Sequence, residues 1–127
     1  MSPEIIQQVI ADYFAATRAM NLSAWLATFA EDAISYEPET PPLEGHPALS
    51  QFFQNIAGLF EQVGLTEENI FITGNQAAVK WKGQGVGKNG KTVIFAGIDI
   101  FEVNNAGKIQ KMWAYWSPAA MMAELQG

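Results

Sequence analysis

Gly85-Val86-Gly87-Lys88-Asn89-Gly90-Lys91-Thr92 is the stretch on which the fold turns, because it satisfies two incompatible descriptions. As a string it fulfils the phosphate-binding formula Gly-x-x-x-x-Gly-Lys-Thr. That loop works only between a strand and a helix, whose N-terminus must face the phosphates. The next residues here are Val93-Ile94-Phe95, β-branched and aromatic side chains that favour a strand. Asn89-Gly90 is also a strong two-residue hairpin signal, since both central positions of such a turn need positive φ. The segment therefore reads as a glycine-rich hairpin with its lysines in water, and nucleotide binding is rejected.

Outward from that hairpin, Gly74-Asn75 and Asn104-Asn105-Ala106-Gly107 give two more turns, so the chain from Leu65 onward holds four β-rich runs in an antiparallel meander. The first half is helical. Ser2 can cap a first helix with Pro3 at its first position. Ile6, Val9, Ile10, Tyr13, Phe14 and Thr17 recur at helical spacing, which places Tyr13 on the buried stripe. Asn21-Leu22-Ser23 breaks that pattern and caps a short second helix with Leu22, Trp25, Leu26 and Phe29 inward. Ala33 to Tyr36 reads as a short strand. Three prolines make Glu37-Pro38-Glu39-Thr40-Pro41-Pro42 irregular. His46 reads as the N-cap of a third helix carrying Leu49, Phe52, Phe53, Ile56 and Phe60. Three helices and then a meander make an α+β chain, and with no repeat or linker a single domain over residues 1–127 is expected.

Composition narrows the chemistry. Hydrophobic residues at 49% against 16% charged suit a globule with a real core. Thirteen acidic and seven basic residues give a net charge of −6, which opposes both a nucleic-acid backbone and an anionic membrane surface. No apolar run is long enough to span a bilayer, and Met1-Ser2-Pro3-Glu4 lacks the regions of a signal peptide, so a cytoplasmic protein is expected. The absence of cysteine removes disulfides, thiolate metal sites and cysteine nucleophiles together. One histidine cannot build a multi-histidine metal centre. Neither metal nor cofactor is expected, and proton chemistry falls to Asp, Glu, Tyr or Lys.

Three such residues stand out. Asp99 lies in Val93-Ile94-Phe95-Ala96-Gly97-Ile98-Asp99-Ile100-Phe101, which is apolar on both faces and reads as a central, covered strand. A carboxylate there is either held by structural hydrogen bonds or kept protonated. Glu37 sits where a strand meets the proline-rich loop, as a cavity-mouth acid or a solvated loop acid. Tyr13 on the inward helical stripe is core or catalyst, with a hydroxyl that needs a partner if buried. Trp113, Tyr115 and Trp116 straddle the last strand, so each face of the sheet receives an aromatic. Three helices cannot cover both faces of such a sheet, and a homodimer through the face opposite the pocket is expected.

Together these residues resemble the bacterial ketosteroid isomerases, in the nuclear transport factor 2-like superfamily that also holds the SnoaL-like cyclases. The matching segments are Asp12-Tyr13, Phe29-Ala30-Glu31-Asp32-Ala33, Tyr36-Glu37-Pro38, Ile98-Asp99, and the run from Gly107 to Ser117. The resemblance implies a cone-shaped α+β barrel, three N-terminal helices on a curved antiparallel sheet, acting without a cofactor on an apolar ketone. It implies Glu37 as the base that shuttles a proton, and Tyr13 and Asp99 as the donors of an oxyanion hole. An acid kept neutral by an apolar site is an established feature of those isomerases. Trp116 would line the substrate slot, with Phe29, Phe53, Phe95, Phe101 and Met112 expected beside it. Three positions depart from the isomerases, which have aspartate at Glu37 and, in the best matches, tyrosines at Phe29 and Phe53. A SnoaL-like cyclase, or a binding module without catalysis, is the alternative reading.

Overall fold

Ser2 starts the first helix as its side chain allows: in the computed structural model, which describes residues 2–127, its Oγ accepts the Ile5 N–H at 3.3 Å. Met1, the first residue of the segment Met1-Ser2-Pro3-Glu4, lies outside the described residues. Helix α1 (Pro3–Arg18) buries Ile6, Val9, Ile10, Tyr13 and Phe14 on one stripe. Met20 then adopts φ 51°, a left-handed conformation that side chains other than glycine rarely take, and this reverses the chain into α2 (Leu22–Leu26). Asn21 caps α2 by accepting the Ala24 N–H at 3.0 Å.

The strands come next: β1 (Phe29–Tyr36), β2 (Leu43–Glu44), then after α3 (Gly45–Ala57) come β3 (Phe60–Thr73), β4 (Gln76–Gly87), β5 (Thr92–Val103) and β6 (Ile109–Tyr115). Their order across one open, curved sheet is β2-β1-β6-β5-β4-β3. The meander β3 to β6 turns at Gly74, Gly90 and Gly107, each with φ between 60° and 83°. The glycine-rich segment 85–92 is accordingly a β4–β5 hairpin, closed by the Gly87 N–H on the Lys91 carbonyl at 2.8 Å.

Four expectations need correction. The sheet is mixed, because β1 runs parallel to β6. Phe29 and Phe60 open strands instead of closing helices, since Gly58 ends α3 two residues before Phe60. His46 is no cap: Glu44 occupies that position without a side-chain bond, and Gly45 at φ 80° turns the chain so that His46 falls inside the helix. Its Nε2–H reaches back to the Phe29 carbonyl at 3.1 Å, tying α3 to β1. Finally, a fourth helix, α4 (Pro118–Gln126), succeeds the last strand with Ser117 as its cap.

The helices α1 to α3 cover one face of the sheet, where Phe14, Trp25, Leu49, Trp81, Phe101 and Met112 form the main core. Helix α4 closes the far end over a smaller cluster of Phe60, Val63, Val93, Met121 and Leu125. The opposite face is open. Strand β5 is therefore not covered on both sides within one chain: Val93, Asp99 and Phe101 are buried, whereas Ile94 and Ile98 alternate outward at 51% and 45% exposure. No helix among the described residues is long and apolar enough to cross a membrane.

Candidate active site

Tyr13 comes to the site from α1 and Asp99 from the middle of β5, where it pairs with Val79 on β4 and Ala114 on β6. Neither neighbour can share its proton or its charge. Asp99 is 2% exposed and Tyr13 5%. Both line one small, mostly apolar cavity of about 90 Å³ between α1, α3 and the inner sheet face, with Phe53, Trp81, Phe95 and Trp116 among its walls. Burial, with the charge of Glu37 adding to it, holds the Asp99 carboxyl well above the ordinary carboxylate range; the indole of Trp81 beside it pulls weakly the other way. Burial likewise pushes the Tyr13 phenol up, helped by the charges of Asp99 and Glu37, while the Trp25 indole opposes the shift. Both shifts favour the protonated O–H form of the group.

Glu37 stands at the edge. It succeeds β1 directly, and Trp116 succeeds β6 directly, so the parallel pairing of these strands brings the two ends together, Tyr36 opposite Trp113. The Trp116 indole N–H donates to Glu37 Oε1 at 3.1 Å, and the buried Ser35 hydroxyl donates to Oε2 at 3.3 Å. Burial raises the Glu37 pKa, and those two hydrogen bonds partly offset it. Glu37 faces a shallow cleft of about 480 Å³ with Tyr36, Pro38, Trp113 and Tyr115, and Trp116 is the wall shared by cleft and cavity. A wider groove of about 720 Å³ between α1, α2 and the β5–β6 turn is floored by alanines, and its ionisable residues, Asp12 and Lys108, are exposed.

A cavity enclosed by helices on the inner face of an open, mixed sheet, with an acid on its central strand, meets an independent match: the sequence pattern of the SnoaL-like domain fits residues 10–112. The chain belongs to the SnoaL-like family. Solved structures agree on the fold of this SnoaL-like domain. TerC, crystallised with polyporic acid, superposes at a TM-score of 0.86 with 15% identity, over 97% of this chain and 99% of that one. An NTF2-like protein of unknown function from Burkholderia pseudomallei gives 0.86 and 16%, covering both chains in full. A polyketide cyclase, so described provisionally, from Xanthomonas campestris pv. campestris gives 0.79 and 21%, over 96% and 97%. Identities this low carry the fold and not the activity.

Of the residues expected to form the slot of the SnoaL-like domain, Phe53, Phe95 and Trp116 line the cavity. Phe29, Phe101 and Met112 do not. They are 2% exposed or less and pack as solid core, with the Phe101 and Phe29 rings 5.0 and 5.9 Å from that of Tyr13. Two further tryptophans shape the site, neither of them among the residues expected there: Trp81 lines the cavity, and Trp25, read along the chain only as an inward residue, backs Tyr13. Trp25 wedges between Phe29 and Phe53, ring centroids 4.8 and 5.0 Å away, and lies beside Tyr13 at 5.9 Å. Trp81 packs against Gly97, where even a Cβ would stand 2.6 Å from its Cζ2. A glycine paired with a tryptophan across two strands is the signal that could have revealed it.

Proposed function

We propose that this SnoaL-like domain is a cofactor-independent isomerase of the ketosteroid isomerase type, moving a double bond in a β,γ-unsaturated ketone. The observation that carries the reading is that Tyr13 and Asp99, whose burial favours the protonated form of each, line one apolar cavity. A ketone oxygen placed between them gains hydrogen bonds as charge develops on it, where low polarity makes each bond count for most. Glu37 takes a proton from the carbon between carbonyl and alkene, leaving a dienolate, and returns it at the far end of the conjugated system. Burial, which raises its pKa, makes Glu37 a stronger base than a solvated carboxylate. The cavity of about 90 Å³ is small against the ~300–1,000 Å³ of sites for drug-sized ligands. A compact ring ketone suits it, and a four-ring steroid requires the walls to part.

One observation favours a second reading. Glu37 lies beyond Trp116 and not in the cavity lining, so a module that binds ketones or phenols without turning them over also fits. Conversion of cyclohex-3-enone to its conjugated isomer, monitored by ultraviolet absorbance, separates the two. Isomerisation is expected in the wild type and a loss of about 10²–10⁴-fold in Glu37→Gln, since an amide cannot take the proton. Binding of a phenol with no turnover of any β,γ-enone, a steroid one included, assigns the binding module instead. Glu37→Asp, which shortens the base by one methylene, tests whether its reach limits the rate.

A further inference from the structure

Trp81 Nε1 is the one buried side-chain nitrogen or oxygen among the described residues without a partner at full hydrogen-bonding geometry, although its indole is close enough to Asp99 to act on that carboxyl. An indole N–H can only donate, so a buried one left empty calls for an explanation. Its placement is tightly determined. Trp81 pairs with Gly97 across β4 and β5, and the missing side chain lets the ring lie against the sheet. The edges of Phe95 and Trp116, with centroids 5.8 and 6.3 Å away, hold it there. Two residues before it on β4, Val79 pairs with Asp99, so Trp81 and Asp99 are diagonal neighbours on the inner face, within reach of each other for a long side chain. Both line the same cavity.

We propose that Trp81 is a positioning residue whose indole N–H is reserved for one carboxyl oxygen of Asp99, so that the proton stays on the other oxygen, the one that meets a ligand beside Tyr13. The inference deepens the reading of Asp99 as a ligand donor and rests on it. A protonated carboxyl has one oxygen that donates and one that only accepts. The Tyr13 hydroxyl in the same cavity is assigned to the ligand, so the indole supplies that decision. When the ligand oxygen draws on the Asp99 proton, charge grows on the carboxyl and the Trp81 N–H meets it, which makes Asp99 a stronger donor. The other ionisable groups acting on Asp99 are Tyr13 from α1 and Glu37 after β1.

The test uses the whole chain. It holds three aspartates, of which Asp12 and Asp32 are exposed, so carboxyl-labelled aspartate gives one buried signal that reports Asp99 by NMR. Trp81→Phe keeps the aromatic wall and removes the N–H. The midpoint of Asp99 is expected to rise by roughly one pH unit, since a donor to the charged form is lost. An unchanged or lowered midpoint overturns the proposal. If Trp81→Phe does not fold, the wild type still decides: the Trp81 indole proton must shift downfield as Asp99 ionises, and an indole signal blind to that titration refutes the contact. Ligand positioning is read with 4-nitrophenol, whose colour reports ionisation, against nitrobenzene. Trp81→Phe is expected to weaken 4-nitrophenol roughly 5–10-fold and nitrobenzene hardly at all. That selective loss should vanish in an Asp99→Asn background, whereas an equal loss there makes Trp81 mere packing. A wild type that binds no phenol sinks the reading of Asp99 as a ligand donor, while the NMR titration still decides whether Trp81 addresses Asp99.

Discussion

Burial among Val79, Ala114 and Phe101 shifts the Asp99 carboxyl toward its protonated form, and this shift has a thermodynamic sign. Its folded pKa lies above the unfolded value, ordinarily ~3.9, so the folded state binds the extra proton between those two limits. The stability Asp99 contributes is complete below ~pH 4 and is lost as pH rises until the folded carboxyl ionises. Glu37 adds a slope of the same sign. Urea midpoints taken from pH 5 to pH 8 should therefore fall less in Asp99→Asn than in the wild type; parallel curves would mean Asp99 is ionised in the native protein. Asp99→Leu should gain alkaline stability yet lose about 10²–10³-fold in enone isomerisation, the usual toll of removing an oxyanion donor. Asp99 was legible along the chain because a charge in an unbroken apolar run has few meanings. Trp81 was not, and Trp25 was legible only as a buried residue, since their roles depend on which rings and glycines the folded chain sets against them.

At the scale of elements, the β4–β5 hairpin is organised by its glycines. Gly83, Gly85 and Gly97 face inward, and the rings of Phe95, Phe60 and Trp81 occupy the space their side chains would fill. Gly97→Ala would place a methyl 2.6 Å from both the Trp81 ring and the Tyr115 carbonyl, and 2.8 Å from Trp116 Cβ. The backbone cannot yield as a flexible side chain would, so a loss of about 1–3 kcal/mol is expected by chemical denaturation. Gly74→Ala meets no neighbour but must hold φ 60°, and should cost about 1 kcal/mol. If the two variants were equally stable, close packing at Gly97 would not be the constraint. The three turns of this meander could be placed from Asn-Gly pairs and their relatives, which act locally. The ends of α2 and α3 could not, because Phe29 and Phe60 continue the helical spacing in sequence and only the strands beside them claim them as β. Helix α4 is hidden in the sequence for a related reason: it is short, and its burial depends on Gly87 leaving room for Leu125.

For the whole molecule, the outer sheet face raises the question of assembly. Tyr36, Trp113, Ile100, Ala78 and Phe71 form one row across five strands, and Tyr115 and Ile98 pair beside it. Phe71 and Tyr115 are 70% and 61% exposed. An exposed apolar row of this kind, bordered by Lys80, Lys82, Glu102 and Lys111, favours a partner with the same needs, and we propose that two copies bury it against each other about a two-fold axis. Light scattering should give about twice 13.9 kDa at micromolar concentration, and Ile98→Glu should return it to the single mass. A wild type that stays at one chain's mass overturns the arrangement. An uncovered sheet face was legible in there being only three helices to pack on it, whereas periodicity assigns residues to faces without saying which elements lie on each. The parallel ladder of β1 with β6 was beyond periodicity too, yet it decides where Glu37 goes. Its strands are separated by the whole of the α3 and β2–β5 chain, and Tyr36 meets Trp113 only after that chain has been laid down. On a ribosome the hairpins can form as they emerge, but the Glu37–Trp116 edge waits until β6 has been made. A chain stalled before Ile109 would carry β1 and β5 with open hydrogen-bonding edges toward each other, which makes the final strand a safeguard against aggregation as well as the element that delivers Trp116 to the cavity wall.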